Sequence, residues 1–240
     1  MQRRKLQNDT VRRMVMIAMF TALAYVTMLV IHIKVGFLTF DLKDAVTTFC
    51  GLFFGPLAAL FVAVVVPLIE LATVSDTGVY GLIMNILSSV TFSVTVALIY
   101  KYKKTLWGAI AALLSGAALM VGVMMVANLL ITPYYMGVTT EAVRELIPTL
   151  LLPFNALKAM VNVGAVLLLY KPLSRALRRA GLLPASAKST AENAQNEPRV
   201  ATKSNGALKS VLVSVAAVLL IAGAMVLIFV VMGGEATFGV

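Results

Sequence analysis

The chain alternates between long apolar runs and short polar or basic interruptions. Runs at about 14–33, 56–73, 79–100, 106–130 and 147–170 suit helices that, at ~1.5 Å per residue, cross a ~30 Å hydrocarbon core. A shorter run at about 42–54 predicts a helix too short for a full crossing, which should lie tilted. Residues 181–208 change character: Ala, Ser, Asn, Pro and Glu dominate, too few apolar groups remain to pack, and a flexible linker is expected. A uniformly apolar run at 209–232 then predicts a seventh, accessory helix ahead of a tail at 233–240. With 1–13 as a basic N-terminus, the expected architecture is an all-α membrane protein: a six-helix bundle over 14–180 plus one additional C-terminal transmembrane helix. No internal repeat is evident.

The interruptions carry local signals. Gly36 permits a sharp turn, and the alternation after it suggests an extended loop folding back over the outer mouth. Asp41 and Asp44 suit the start of the short helix, where carboxylates favour the N-terminal dipole. Gly55-Pro56 reads as a turn followed by a helix start, and Pro67 and Pro153 suggest kinks. Glu70, at the end of its run, is expected at the membrane interface. Gly108, Gly116 and Gly122 suit close helix packing, and residues 131–146, with Pro133-Tyr134-Tyr135, are expected to form a loop.

Composition adds that this is no soluble domain: 60% of the 240 residues are hydrophobic, 12% are charged, and the mean hydropathy is +0.96. The net charge of +10 does not point to nucleic acid, because the basic residues sit at the ends of apolar runs. Arg3, Arg4, Lys5, Arg12 and Arg13, then Lys101, Lys103 and Lys104, then Lys171, Arg175, Arg178 and Arg179 all fall on one side if the helices alternate. By the positive-inside rule that side is cytoplasmic, which places the C-terminus outside. The other side receives Lys34, Lys43 and Arg144 against Asp41, Asp44, Asp76, Glu141 and Glu145. The single cysteine, Cys50, reads as a small packing residue, and the basic opening followed by a long apolar run does not read as a cleavable signal peptide. His32 lacks companions at metal-ligand spacing and reads as interfacial.

Candidate chemistry gathers in the polar residues inside apolar runs. Asn155, Lys158 and Asn162 are spaced to share one helical face, and a lysine inside a span marks a functional site by default, since inserting it costs roughly 2.5–3.5 kcal/mol. Asn85 and Asn128 fall at similar outer depths on two other helices. Single asparagines also serve as interhelical hydrogen-bond glue worth about 0.6 kcal/mol on average, but three helices contributing amides and a cation to one layer favour an outward-opening ligand pocket. Phe37, Leu38, Thr39 and Phe40, with Tyr134 and its neighbour Tyr135, are candidates for its walls and lid. Paired carboxylates, a nucleophile with a base, or metal ligands, which an intramembrane enzyme needs, are not found, and there is no phosphate-binding G-x-x-x-x-G-K-[ST] segment. Inverted repeats expected of a carrier working alone are also not evident.

Several stretches together resemble the substrate-capturing S components of energy-coupling factor (ECF) vitamin transporters, and within them the riboflavin-specific type. Phe37-Leu38-Thr39-Phe40-Asp41-Leu42-Lys43-Asp44 is similar to the family's outer loop into its second helix, and Phe54-Gly55-Pro56-Leu57-Ala58 to its turn before the third. Asn128 and Asn155-x-x-Lys158 resemble the flavin-binding positions, and Ala18-x-x-x-Ala22 the first-helix motif that docks on a transmembrane coupling subunit. The resemblance implies a transport subunit, not an enzyme. It also implies riboflavin as cargo with no cofactor, residence in membrane lipid, and partnership with a coupling subunit and two ATP-hydrolysing subunits. An S component for another vitamin, such as folate, is the alternative. The linker and seventh helix depart from the family's usual six spans.

Overall fold

A computed structural model describes residues 2–182, with side chains described from Thr10 onward. The expected seventh helix, and all of the linker beyond Leu182, lie outside the described residues. Helix α1 (Gln2–Val30) is followed by strands β1 (Ile33–Val35) and β2 (Leu38–Phe40), then α2 (Lys43–Phe54), α3 (Pro56–Thr73) and α4 (Gly78–Ser89). A π-helical turn (Val90–Val94) joins α4 to α5 (Thr95–Tyr102). After α6 (Leu106–Met136) and α7 (Thr140–Leu146), a second π-helical turn (Ile147–Leu151) leads into α8 (Leu152–Arg179).

Five helical stretches among the described residues are long and apolar enough to cross a membrane: Thr10–Val30, Pro56–Thr73, Gly78–Tyr102, Leu106–Met136 and Thr140–Arg179. The 12 residues of α2 rise only ~18 Å, so the sixth member of the bundle is the short element the apolar pattern predicted. Three boundaries differ from expectation. The first helix ends at Val30 because Ile33, Lys34 and Val35 pair antiparallel with Phe40, Thr39 and Leu38, so the extended loop is a β-hairpin turning at Gly36, whose φ of 60° lies in the left-handed region. The crossing that begins at Leu106 runs on through Pro133 to Met136, and the loop expected at 131–146 shrinks to the turn before α7. The last crossing begins at Thr140, its π turn containing Pro148 and ending just before Pro153, neither of which can donate a backbone N–H.

α2 is the buried centre. Phe49 and Phe53 stack at 6.2 Å, and Phe53 stacks on Tyr170 at 5.8 Å. A Cβ added at Gly51 would lie 2.8 Å from the Cβ atoms of Ala59 and Ala97, so three helix backbones approach there because no side chain intervenes. Gly116 does the same for α6 against Val96, whereas Gly122 faces open space and does not have the packing role expected of it. Cys50 is fully buried in this core, as expected of a packing residue. The N-terminal N–H groups of α2 are met from outside the helix: Asn162 Oδ1 accepts from Ala45 N at 2.8 Å, and Asp41 Oδ1 from Lys43 N at 3.0 Å. At its other end Arg13 donates to the carbonyl of Phe54 at 2.6 Å.

Candidate functional site

Beneath the hairpin, between α3, α4, α6 and α8, lies a cleft of about 190 Å³. At ~10–15 Å³ per water on the same measure, it holds on the order of a dozen waters, the room of a small organic molecule and not of a lone ion. Asn85, Asn128, Asn155 and Lys158 all line it, so the amides and the ammonium read from three separate helices converge on one space. Phe37, Leu38 and Thr39 of the hairpin form its cover. Asn128, Asn155 and Lys158 are buried, and Asn85 is half-buried.

The remaining expected positions fall elsewhere. Asn162 shares the face of Lys158 but lies one turn deeper, where it meets α2 and donates to Lys158 O at 2.9 Å; it is structural and does not line the cleft. Phe40 turns away from the cleft into a cluster with Ile33, Phe154, Leu157 and Val161. Tyr134 is 77% exposed, and its neighbour Tyr135 lines the cleft instead. Because α6 continues past Pro133, adjacent residues there point about 100° apart around the helix. The Tyr135 ring sits 6.4 Å from those of both Phe37 and Tyr80, an aromatic cluster at the mouth. Ala18 and Ala22 lie on the exposed face of α1, while Ala24 is buried.

The ammonium of Lys158 is not free. It lies 3.0 Å from Asp41 Oδ2 and 3.5 Å from the carbonyl oxygen of Thr39, which ties α8 to the inner end of the hairpin. Asp41 is also 3.5 Å from Lys43, Lys43 is 2.6 Å from Glu70, and Glu70 accepts from Asn85 Nδ2 at 3.1 Å. The result is a buried chain of alternating charge that ends on an amide of the cleft. One expectation changes here: Glu70 is not interfacial but 6% exposed, and it lines the cleft. Asp41 and Asp44 stand at the start of α2 as expected, and they and Lys43 are buried, each at most 1% exposed. Asp44 accepts from Ser89 through one carboxylate oxygen, and among the described residues its other oxygen has no hydrogen-bond partner. The buried hydroxyl of Ser88, which lines the cleft, likewise has none among the described residues. At the rim His32 and Lys34 line the mouth, and Lys34 pairs with exposed Asp76 in the turn before α4. That ammonium, donating to Asp76, holds its carboxyl below the usual range.

The site is therefore a buried polar floor under an aromatic and apolar cover, able to orient a small guest by hydrogen bonds. Among the described residues no group of His, Cys, Asp and Glu is placed to hold a metal ion.

Known proteins bear on the same region. Residues 12–170 match the family described as "ECF transporter, substrate-specific component". Over 187 residues, 74% of this chain and 98% of the relative, the sequence is 29% identical to the riboflavin transporter RibU of Staphylococcus aureus (strain TCH60). The fold superposes on the solved S component of a bacterial ECF transporter with a TM-score of 0.61 at 27% identity, covering 70% of this chain and 98% of that one. A bundle of membrane-crossing helices enclosing a polar cleft, and a family match that takes in every residue of that cleft, lead to one conclusion: the chain belongs to the substrate-specific components of ECF transporters, multi-pass membrane proteins that are transport subunits and not enzymes.

Proposed function

We propose that this chain captures riboflavin at the outer face of the cell membrane and delivers it inward together with a transmembrane coupling subunit and two ATP-hydrolysing subunits. The observation that carries the reading is the convergence of Asn85, Asn128, Asn155 and Lys158 in one cleft beneath the hairpin. A relative named for riboflavin transport, matched over nearly its whole length, supports the same cargo. Riboflavin offers a planar apolar ring, a uracil-like edge and ribityl hydroxyls. Carboxamides both donate to and accept from such groups, and Phe37, Tyr80 and Tyr135 suit the ring. The basic clusters at 101–104 and 171–179 favour an inward position for those ends, so that the cleft opens outward. Ala18 and Ala22 present a small-residue stripe on which a coupling subunit's helix docks closely. The apolar run at 209–232 is an accessory anchor.

The test is a titration of riboflavin into purified protein, followed by quenching of flavin fluorescence. Protein that copurifies yellow or quenches saturably supports the reading, and Asn128→Leu or Asn155→Leu should each weaken binding by roughly tenfold or more. A colourless protein indifferent to riboflavin returns the choice to other vitamins. Ala18→Leu with Ala22→Leu should abolish uptake and spare binding, and truncation after Gly181 should leave binding intact. Normal uptake in the first variant, or lost binding in the second, removes the corresponding role.

A further inference from the structure

The three carboxamides of the cleft share a constraint. Each has one of its two amide hydrogens claimed by a protein group that can only accept, which fixes the nitrogen's side: Asn128 Nδ2 donates to Met124 O at 2.7 Å, Asn155 Nδ2 to Leu151 O at 2.8 Å, and Asn85 Nδ2 to Glu70 Oε1 at 3.1 Å. Peptide carbonyls and an ion-paired carboxylate carry no hydrogen, so reversing any of these amides would set two acceptors against each other. The carbonyl oxygens are thereby aimed away from their anchors. Those of Asn85 and Asn155 have no donor among the described residues, and that of Asn128 receives one hydrogen bond, from Thr132 at 3.0 Å, which leaves a lone pair.

Two of the anchors are backbone carbonyls one turn back on the amide's own helix, which any asparagine finds. The third is different: Glu70 reaches Asn85 from another helix, and its second oxygen is held at 2.6 Å by Lys43. We propose that Glu70 is a positioning residue which, by fixing the Asn85 amide with its oxygen toward the cleft, completes a set of acceptors that reads hydrogen-bond donors on an uncharged guest. The proposal rests on the riboflavin reading. The donors concerned are then the imide N–H of the ring and the ribityl hydroxyls.

The experiment compares three ligands on the full chain in detergent by flavin fluorescence: riboflavin, 3-methylriboflavin, which lacks the imide N–H, and lumiflavin, which lacks the ribityl hydroxyls. Wild-type protein should bind each analogue at least about tenfold more weakly, because a missing donor leaves a buried acceptor unmet. In Glu70→Gln, whose amide faces Asn85 with either atom, one of the two penalties should shrink by about tenfold. The double variant Lys43→Met/Glu70→Met, which removes the ion pair whole, should show the same loss of discrimination. Asn85→Ala should show it as well, with no further loss when combined with Glu70→Gln.

A merely structural Glu70 would weaken all three ligands together and leave both ratios unchanged. Unchanged ratios in a folded, riboflavin-binding Glu70 variant overturn the proposal. Should neither Glu70 variant fold, unchanged ratios in Asn85→Ala do so instead. Wild-type protein that fails to bind riboflavin overturns the functional reading and this proposal with it, whereas normal wild-type discrimination that survives the substitutions overturns the positioning role alone.

Discussion

The pair formed by Lys158 and Asp41 is open to a direct energetic test. Their polar atoms are 3.0 Å apart, and the residues are 5% and 1% exposed, so neither charge has bulk water to fall back on. Replacing one partner of a buried pair costs about 3–5 kcal/mol, because the other charge stays behind uncompensated. Here the lower end applies: after Lys158→Met, Asp41 still has Lys43 at 3.5 Å and the backbone N–H of Lys43 at 3.0 Å. A loss of ~3 kcal/mol, at roughly 2–4 °C per kcal/mol for a domain of this size, lowers the melting temperature by about 6–12 °C. Adding Asp41→Asn removes the orphaned charge, while Lys43 keeps Glu70 at 2.6 Å, so the double variant should recover to within about 1 kcal/mol of wild type. The chain supplies its own reporter. Cys50 is its only cysteine and is fully buried, so a fluorogenic thiol reagent labels the protein only as it opens. A double variant melting as low as the single would show that the loss came from packing, and a single variant melting with wild type would show that the pair is not desolvated. Either result refutes the account of Lys158 as half of a dry ion pair.

Asn162→Ala should destabilise the protein by about 0.5–1.5 kcal/mol, since Ala45 N–H loses its 2.8 Å partner and keeps only a 3.2 Å bond to Leu42 O, yet leave the riboflavin affinity of the folded fraction unchanged; altered affinity at unchanged stability would put Asn162 back among the binding residues. Gly51→Ala should cost about 1–3 kcal/mol, since its Cβ would sit 2.8 Å from two alanine Cβ atoms, while Gly122→Ala, facing open space, should be silent in the same thiol assay. The Lys34–Asp76 contact is exposed, with side chains 52% and 68% accessible, so Lys34→Ala should change riboflavin binding by no more than about threefold. Because Lys34 depresses the folded-state pKa of Asp76, whatever this contact contributes is fully present above the ordinary aspartate value of roughly 4 and is lost as pH falls through the lowered one. A step near pH 6 in wild-type binding that disappears in Asp76→Asn would contradict that.

The crossings were legible in the sequence because a run of apolar residues has few ways to meet lipid other than as a helix. Asn128, Asn155 and Lys158 were legible for a related reason: an amide or an ammonium within such a run demands a partner. The burial of Asp41, Lys43 and Asp44 was not legible. Charges at a helix start beside a turn are ordinarily solvated, and only pairings across 27 and 117 residues, Lys43 with Glu70 and Lys158 with Asp41, take this end of α2 out of water. Glu70 was misplaced for the same reason, since its partners are set by the path of α2 and not by its own helix. Of the two lid candidates Tyr134 and Tyr135, only the second reaches the cleft. Treating Pro133 as the end of a helix removes the 100° phase that sends one ring into the cleft and its neighbour to the surface.

That hidden set of charges bears on which guest the cleft can hold. Taken alone, Lys158 would give it one cation. In the folded chain Lys158, which lines the cleft, is answered by Asp41, and Glu70, which lines it beside Asn85, is answered by Lys43. A phosphate or a pair of carboxylates entering this space would give up its hydration with no unpaired cation on the floor, among the described residues, to offset the loss. A neutral flavin loses little hydration by comparison and finds amide oxygens already oriented. The discrimination should therefore be steep: riboflavin phosphate binding as tightly as riboflavin in the same titration would mean that Lys158 leaves Asp41 to meet the guest.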